Sequence, residues 1–212
     1  MKGYVITIMD NPRSVESAER CIESAKRYNF EVEMWKATTP EDNPEKILEE
    51  KEILLDAFDE IYSRKENCMA AFLSHYSLWE KSVRDHEQLM VLEHDAFFVN
   101  YIPNINSRCI NMGKPSYGKF NYPIHIGEGP LVSKKYFGGA HAYAIKPAGA
   151  KVLIHAAETR AKPTDLFLDA RIFPDIQEYY PWPVEARDSF STIQNRNGCV
   201  AKHNYNEQYE IL

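Results

Sequence analysis

The sequence predicts an α/β fold, with a mostly parallel central sheet flanked by helices. The first 35 residues indicate strand, helix, strand: Tyr4 to Met9 is an apolar run, Asn11-Pro12 is typical of a helix start, and Phe30 to Trp35 alternates. Such a β-α-β unit opens parallel sheets of the nucleotide-binding type. Within Gln88 to Asn100, the four apolar residues Leu89 to Leu92 predict a strand buried on both faces.

The later elements are predicted from apolar spacing and from turn residues. Further helices are expected from Asn43-Pro44 onward, with Ile47, Leu54, Phe58 and Ile61 on one side, from Met69 to Arg84, and from Pro147 to Ala157. A strand is expected at Gly138 to Ile145 and an edge strand within Arg171 to Trp182. Prolines and glycines predict a loop-rich insertion at about 101–137 within one domain of residues 1–212.

Composition limits the classes of partner and compartment. The formal charge of −6 and a pI of about 5.7 do not favour attraction of the whole surface to nucleic acid or anionic lipid, although a local basic patch is compatible with them. The four cysteines form no Cys-x-x-Cys pair, which favours thiols in a reducing compartment. The N-terminal apolar run is too short for a signal peptide or a membrane span, so we expect a cytoplasmic protein without stable membrane insertion.

Two carboxylates follow the central apolar run, at Glu93 and Asp95. Open α/β sheets bind their ligands at the carboxyl ends of such strands. Buried carboxylates need a cation or hydrogen-bond donors, and two hard oxygen ligands suit Mg²⁺ or Mn²⁺ holding a diphosphate. The same spacing recurs at Glu31/Glu33 and Asp85/Glu87, and Asp95 could simply end its strand in a turn, so the spacing alone leaves both interpretations open.

A series of motifs runs in order along the chain. They are Asp10 with Arg13 and Arg20, Ala37-Thr38, Ala71-Phe72-Leu73-Ser74-His75 with Trp79, Val91-Leu92-Glu93-His94-Asp95, Gly139-Ala140-His141-Ala142-Tyr143, Gly149-Ala150, Pro163-Thr164-Asp165 and Ser191-Thr192-Ile193. In this order and spacing the chain resembles glycosyltransferase family 25, the group of bacterial lipooligosaccharide galactosyltransferases and collagen galactosyltransferases. His94 stands where the family has an aspartate, Ala71 where it has a cysteine, and Ala140 where it has a threonine.

The resemblance implies a GT-A-like nucleotide-sugar-binding fold and a metal-assisted, inverting transfer of a hexose. The implied donor is a nucleotide-diphosphate sugar, a UDP-hexose, and the acceptor hydroxyl belongs to lipooligosaccharide, another glycan, a protein or a modified nucleobase. Asp95 and Glu93 are expected to hold Mn²⁺ or Mg²⁺. The expected donor-binding residues are Asp10, Arg13, Arg20, Ala37, Thr38, Ser74, His75, Glu93, His94 and His141.

An inverting transfer needs a base that takes the proton of the acceptor hydroxyl. Asp165 is the candidate, with Asp169 four residues later on the same face if a helix begins at Leu166. Thr164-Asp165 before an apolar run is equally typical of a plain helix cap, and His75 could be a buried core histidine.

Two further functions stay open at this stage. One is a sugar-nucleotide-binding module with weakened catalysis, because His94 lowers the negative charge beside Glu93 and Asp95. The other is a nucleotidyltransferase, which uses a similar β-α-β start and acidic pair. A glycine-rich phosphate loop would favour that chemistry, and Asp10 to Arg13 contains no glycine.

Overall fold

A computed structural model of the chain describes residues 1–59, 63–187, 190–195 and 210–212. Its centre is a seven-stranded sheet with helices on both faces, which confirms the α/β class. The strands, in chain order, are β1 (Lys2–Thr7), β2 (Val32–Lys36), β3 (Leu89–Glu93), β4 (Ala96–Phe98), β5 (Cys109–Asn111), β6 (Gly127–Pro130), β7 (Ala142–Ile145), β8 (Gln177–Tyr180), β9 (Val184–Ala186), β10 (Phe190–Ser191) and β11 (Glu210–Ile211). The helices are α1 (Pro12–Lys26), α2 (Pro44–Glu50), α3 (Lys65–Asp85), α4 (Pro147–Arg160) and α5 (Thr164–Phe167).

The central sheet is mixed, so the prediction of a mostly parallel sheet is confirmed only in part: five strands run in one direction, and β7 and β6 run against them. Its strand order is β2-β1-β3-β7-β5-β8-β6, and β4 with β9 and β10 with β11 form two small separate pairs. β1 is parallel to β2 and β3, whereas β7 runs antiparallel between β3 and β5, and β6 is antiparallel to β8. The long segment before β7 brings the chain back in the opposite direction. Apolar patterning shows that a strand exists but does not give its direction.

The predicted edge strand is also misplaced. β8 lies between β5 and β6, so β6 forms this edge of the sheet and β2 forms the other. The glycine and proline content of β6 hides it in the sequence, because both residues are depleted in strands and Pro130 is tolerated only where its missing N–H costs no ladder bond.

Helix α1 begins where the sequence predicts. The Asn11 side chain accepts hydrogen bonds from the backbone N–H groups of Arg13 and Ser14, and Pro12 occupies the first turn. Ala18 and Ala25 are buried. The buried face also contains small polar residues that apolar periodicity does not reveal, namely Ser14, Ser17 and Ser24.

Helix α2 ends at Glu50, so the predicted helix through Phe58 is wrong. The N–H of Ile53 donates to Leu48 (2.9 Å) and that of Glu52 to Glu49 (2.9 Å), and Glu52 has φ 57°. This is a Schellman motif, which usually places glycine at the left-handed position. Glutamate there gives no stop signal in the sequence. Ile61, which the prediction also placed on this helix, lies outside the described residues.

Helix α3 provides the largest part of the core. Phe72 and Trp79 are fully buried and pack edge-to-face at 5.6 Å, and both contact Phe167 of α5. α4 packs beside α3 on this face of the sheet, and α1 covers the other face. The central strand β3 is therefore buried from both sides, as predicted, and only its carboxyl end approaches the surface.

Two further findings bear on the predictions about the cysteines and about membrane insertion. Cys21, Cys68 and Cys109 are buried, and Cys199 lies outside the described residues. Over the described part of the chain, no helix has the length and apolar character that crossing a bilayer requires.

Candidate active site

A cleft of about 480 Å³ opens at the carboxyl ends of the three parallel strands. Its floor includes Ile6 and Ile8 at the end of β1, Ala37 to Pro40 after β2, and Glu93 to Asp95 at the end of β3. This is the position at which open α/β sheets bind ligands. A more open hollow of about 630 Å³ lies around Glu128 and Gln177, and its described lining contains no predicted site residue.

The loop after β2 is fixed to helix α3 through one side chain. The Ser74 hydroxyl accepts a hydrogen bond from the Thr38 N–H (2.9 Å) and donates to the Ala70 carbonyl within its own helix (2.9 Å). Ala37, Thr38 and Ser74 all line the cleft. The structure thus brings together three of the predicted donor-binding residues.

A chain of hydrogen bonds crosses the core and ends at Glu93. The indole N–H of Trp79 donates to the Tyr143 hydroxyl (2.8 Å), which lies 3.0 Å from His75 Nδ1. His75 Nε2 lies 3.2 Å from Glu93 Oε1. Because a carboxylate only accepts, we assign the proton of His75 to Nε2, which leaves Nδ1 to accept from Tyr143. His75 is therefore both a satisfied core residue and a cleft residue that orients Glu93.

Glu93 remains ionised in this setting. Burial by itself would raise the pKa of the carboxyl group, but the hydrogen bond that His75 donates outweighs burial, and the pKa lies below its usual value. Its backbone N–H donates to the His141 carbonyl (3.0 Å), which fixes the end of β3 against the chain leading into β7.

His94, between the two acids, lies in a stack of rings. Its imidazole is parallel to the Phe190 ring at 5.2 Å, and Arg13 covers Phe190 at 4.5 Å. The Ser14 hydroxyl is 3.2 Å from His94 Nδ1. Burial lowers the pKa of His94 to about 4, although the charge of Glu93 acts in the opposite direction. The residue is consequently neutral at pH 7 and adds no positive charge beside Glu93.

Asp95 lies in the turn between β3 and β4 and lines the cleft, with 8% of its surface exposed. Its backbone carbonyl accepts a hydrogen bond from the Arg187 N–H (2.8 Å). Within the described ranges, no group of three or more His, Cys, Asp or Glu side chains could hold a metal by itself. Glu93 and Asp95 nevertheless fit Mg²⁺ or Mn²⁺, because these ions are commonly bound by one or two carboxylates with substrate phosphates and water.

Asp165 lies in the same cleft, in the first turn of α5. Tyr117 donates its hydroxyl hydrogen to Oδ2, and the Leu166 N–H donates to Oδ1 (2.9 Å). Burial raises the pKa of Asp165 above its usual value, and the negative charge of Glu93 adds to this shift. The two acids are therefore within electrostatic reach of each other. Asp165 is no ordinary N-cap, since the cap position is Pro163.

The loop segment before β7 contributes aromatic residues that the sequence did not single out. Tyr117 and Tyr136 line the cleft with ring centroids 6.4 Å apart, and the ammonium group of Lys134 lies 4.3 Å and 5.2 Å from them. Burial lowers the pKa of Lys134, and the charge of Asp165 opposes that shift. The only available signal was general: long loops in compact domains often cover active sites.

The segment 190–194 closes one side of the cleft. It is held by residues at the start of α3: the Thr192 carbonyl accepts from the Arg64 guanidinium (2.6 Å) and from the Asn67 amide (2.8 Å). The Arg64 N–H donates to the Ile193 carbonyl (2.9 Å). The late motif Ser191-Thr192-Ile193 is thus part of the site.

Five predicted site residues do not line the cleft. Asp10 is exposed after β1, Arg13 lies over Phe190, and the Arg20 guanidinium donates to the Arg187 carbonyl. His141 is buried behind the cleft against Gly113. The carboxylate of Asp169 accepts from the Arg171 Nε–H (2.9 Å).

Asp165 and Asp169 do not share a helical face, because α5 ends at Phe167. That part of the prediction is wrong. Leu168 and Asp169 leave the helix, and Asp169 forms an antiparallel bridge with Tyr136 instead.

Comparison with known proteins identifies one family. The model of "Glycosyltransferase family 25 (LPS biosynthesis protein)" matches residues 1–122. The match covers more than half of the 212-residue chain and includes Ser74, His75 and the Glu93-His94-Asp95 turn. Asp165 and the segment 190–194 lie beyond it. No curated protein matches the chain.

Proposed function

The chain belongs to glycosyltransferase family 25, and we propose that it transfers a hexose from a nucleotide-diphosphate sugar, a UDP-hexose, to an acceptor hydroxyl. The observation that supports this most directly is the position of three carboxyl groups in one cleft. Glu93 and Asp95 lie at the end of β3, and Asp165 lies within electrostatic reach of Glu93. The three parallel strands beneath the cleft support a GT-A-like arrangement.

In this proposal the donor diphosphate lies over the end of β3. Glu93 and Asp95 would hold Mn²⁺ or Mg²⁺ there, and the cation would stabilise the charge that develops on the departing nucleoside diphosphate. Ala37, Thr38 and Ser74 line the neighbouring part of the cleft, which suits the nucleoside part of the donor. His75, fixed by Tyr143, keeps the Glu93 carboxylate in place.

Asp165 is the proposed general base. The acceptor oxygen attacks the anomeric carbon from the side opposite to the diphosphate, the bond from that carbon to the diphosphate oxygen breaks, and Asp165 takes the hydroxyl proton. The result is an inverted anomeric configuration. A carboxylate whose pKa is raised by burial is a better base than an exposed one, provided that it is still ionised.

A panel of nucleotide sugars, incubated with and without Mn²⁺, tests the proposal. We expect turnover of one donor in the presence of Mn²⁺ and its loss in Asp95→Ala. Asp175→Ala, which removes an exposed aspartate that is paired with Arg108, should retain the wild-type rate. Tight donor binding without turnover would instead establish a binding module, and pyrophosphate release from a nucleoside triphosphate would establish a nucleotidyltransferase.

A further inference from the structure

A cluster of exposed apolar side chains lies in the loop segment before β7. We call Tyr122, Ile124, Ile126 and Val132 the apolar patch. Their exposed fractions are 62%, 101%, 84% and 44% respectively. Soluble proteins rarely leave large aliphatic side chains fully in water side by side, and such a cluster marks an interaction surface. Removing exposed aliphatic side chains from water is favourable, so a surface that covers this patch is stabilised by doing so.

The outward direction of the patch is fixed by its neighbours. The His125 ring packs onto the backbone of β6 so closely that a Cβ on Gly129 would lie 2.5 Å from it. With His125 turned inward, the alternating residues Ile124 and Ile126 face outward. Tyr122 packs on Trp182 at 5.8 Å, which anchors the other end of the patch.

Two hydrogen bonds tie this segment to the chain near Val132. The Asn121 N–H donates to the Ser133 carbonyl (2.9 Å), and its amide donates to the Val132 carbonyl (3.4 Å). Tyr122 and Val132 therefore lie on neighbouring stretches of chain, although they are distant in sequence. These hydrogen bonds fix the two stretches of chain that carry the patch relative to each other.

The segment that carries the patch is positively charged, whereas the whole chain is negatively charged. Residues 114–135 contain four lysines and one glutamate, whereas the complete sequence has 25 Lys and Arg against 31 Asp and Glu. Lys114 lies 3.7 Å from Glu185, and Lys134 lies against the cleft tyrosines, so the other two lysines provide the positive charge at the surface. The Lys119 and Lys135 side chains are exposed. Glu128, the one acid, accepts hydrogen bonds from the N–H groups of Asn106 (2.6 Å) and Ser107 (2.9 Å), which partly offset its charge.

This combination favours a lipid surface over a protein partner. Lysine is depleted in protein interfaces. Apolar side chains flanked by lysines are typical of segments that lie in the interface of an anionic bilayer, where tyrosine is also enriched and basic residues are attracted to the anionic headgroups. The segment also adjoins the cleft, because Tyr117 precedes it and Tyr136 follows it in the cleft wall.

We propose that the apolar patch docks on an anionic lipid bilayer, with Tyr122, Ile124 and Ile126 among the headgroups and Lys119 and Lys135 against lipid phosphates. This attachment goes beyond the proposed transferase reaction, because the chemistry in the cleft does not require it. It would hold the cleft mouth near the membrane surface.

Co-sedimentation with phosphatidylcholine vesicles, with and without phosphatidylglycerol, tests the docking. The wild-type protein is expected to pellet with the anionic vesicles and to be released by salt. The double variant Ile124→Ser/Ile126→Ser should bind at least about tenfold more weakly, and Lys119→Glu should also bind more weakly. Val152→Ser, which changes an exposed aliphatic residue on α4, is the matched control and should bind as the wild type does.

Three outcomes would overturn the docking. They are equal vesicle binding by the wild type and the double variant, no binding by the wild type, and self-association of the wild type in sedimentation velocity that the double variant abolishes. The last would make the patch an interface between copies. Thermal melting and donor turnover without vesicles are measured in parallel. Both should be unchanged in the double variant, so a failure of the docking is distinguishable from a failure of the proposed function.

Discussion

At Asp165, burial and hydrogen bonding act on the same carboxyl group in opposite directions. Burial raises its pKa, and the negative charge of Glu93 raises it further, while the Tyr117 hydroxyl and the Leu166 N–H lower it. The net effect is a pKa of Asp165 above its usual value. A general base must be ionised, so activity should be full above the raised pKa and be lost as the pH falls through it.

Removing the Tyr117 hydroxyl should move that pH dependence. Tyr117→Phe deletes a hydrogen bond that favours the ionised carboxylate, so the pKa of Asp165 rises and the acidic limb of the profile moves to higher pH. The measurement is kcat against pH at saturating donor. Tyr180→Phe, outside the cleft lining, should leave the limb in place. An unchanged limb in Tyr117→Phe, or a shift to lower pH, would refute the role assigned to this tyrosine.

At the scale of elements, helix α3 and strand β7 cooperate to position the acid at the end of β3. Tyr143 is buried between Trp79 and His75. Its hydroxyl accepts a hydrogen bond from the Trp79 indole N–H and donates one to His75 Nδ1. Burial raises the pKa of Tyr143 well above its usual value, so the phenol stays protonated and can donate to His75.

Tyr143→Phe should therefore weaken both the fold and the site. It leaves the Trp79 N–H and His75 Nδ1 without their shared partner, which costs about 1–3 kcal/mol for a buried polar group. We expect that loss in the free energy of unfolding from urea titration, together with weaker donor binding because His75 no longer orients Glu93. Tyr101→Phe, at an exposed tyrosine, should change neither quantity. Unaltered stability in Tyr143→Phe would show that the hydrogen bonds from Trp79 through Tyr143 to His75 are not formed.

Sequence patterning located most elements but not all of their ends or directions. Helices α1, α3 and α4 could be predicted from apolar residues at helical spacing, with a clear cap at Asn11 for α1, and β3 from its run of four apolar residues. The end of α2 could not, because Glu52 adopts a left-handed backbone that the sequence would signal only with glycine. β7 was recognised as a strand, but its antiparallel direction depends on the path of the preceding loop.

At the scale of the whole molecule, the cleft joins segments that are far apart in the chain. Glu93 and Asp95 could be predicted, because they follow a buried strand. The contributions of Tyr117 and Tyr136 could not, since loop residues carry no periodic signal and their positions depend on tertiary packing. Asp165 was expected from the resemblance to family 25 together with the base that an inverting transfer needs, while its separation from Asp169 follows from the early end of α5.

The contacts between α3 and segment 190–194 provide a test at this scale. Arg64 donates to the Thr192 carbonyl and to the Leu212 carbonyl (both 2.6 Å), so it fastens the late segment over the cleft. Arg64→Ala should raise the donor KM several-fold and increase cleavage near residues 190–195 in limited proteolysis. Lys65→Ala, which removes only a surface ion pair with Asp59, is the control. A wild-type KM in Arg64→Ala would contradict the closing role of this segment.

The central claim, that this cleft transfers a sugar with Asp165 as the base, is tested most directly by Asp165→Asn. The measurement compares kcat and the donor dissociation constant with those of the wild type, using the donor that the wild type turns over. We predict a fall in kcat of about 10²–10⁴-fold, the usual contribution of a general base, with donor affinity retained because Glu93 and Asp95 are intact. Transfer by Asp165→Asn at the wild-type rate would contradict the account.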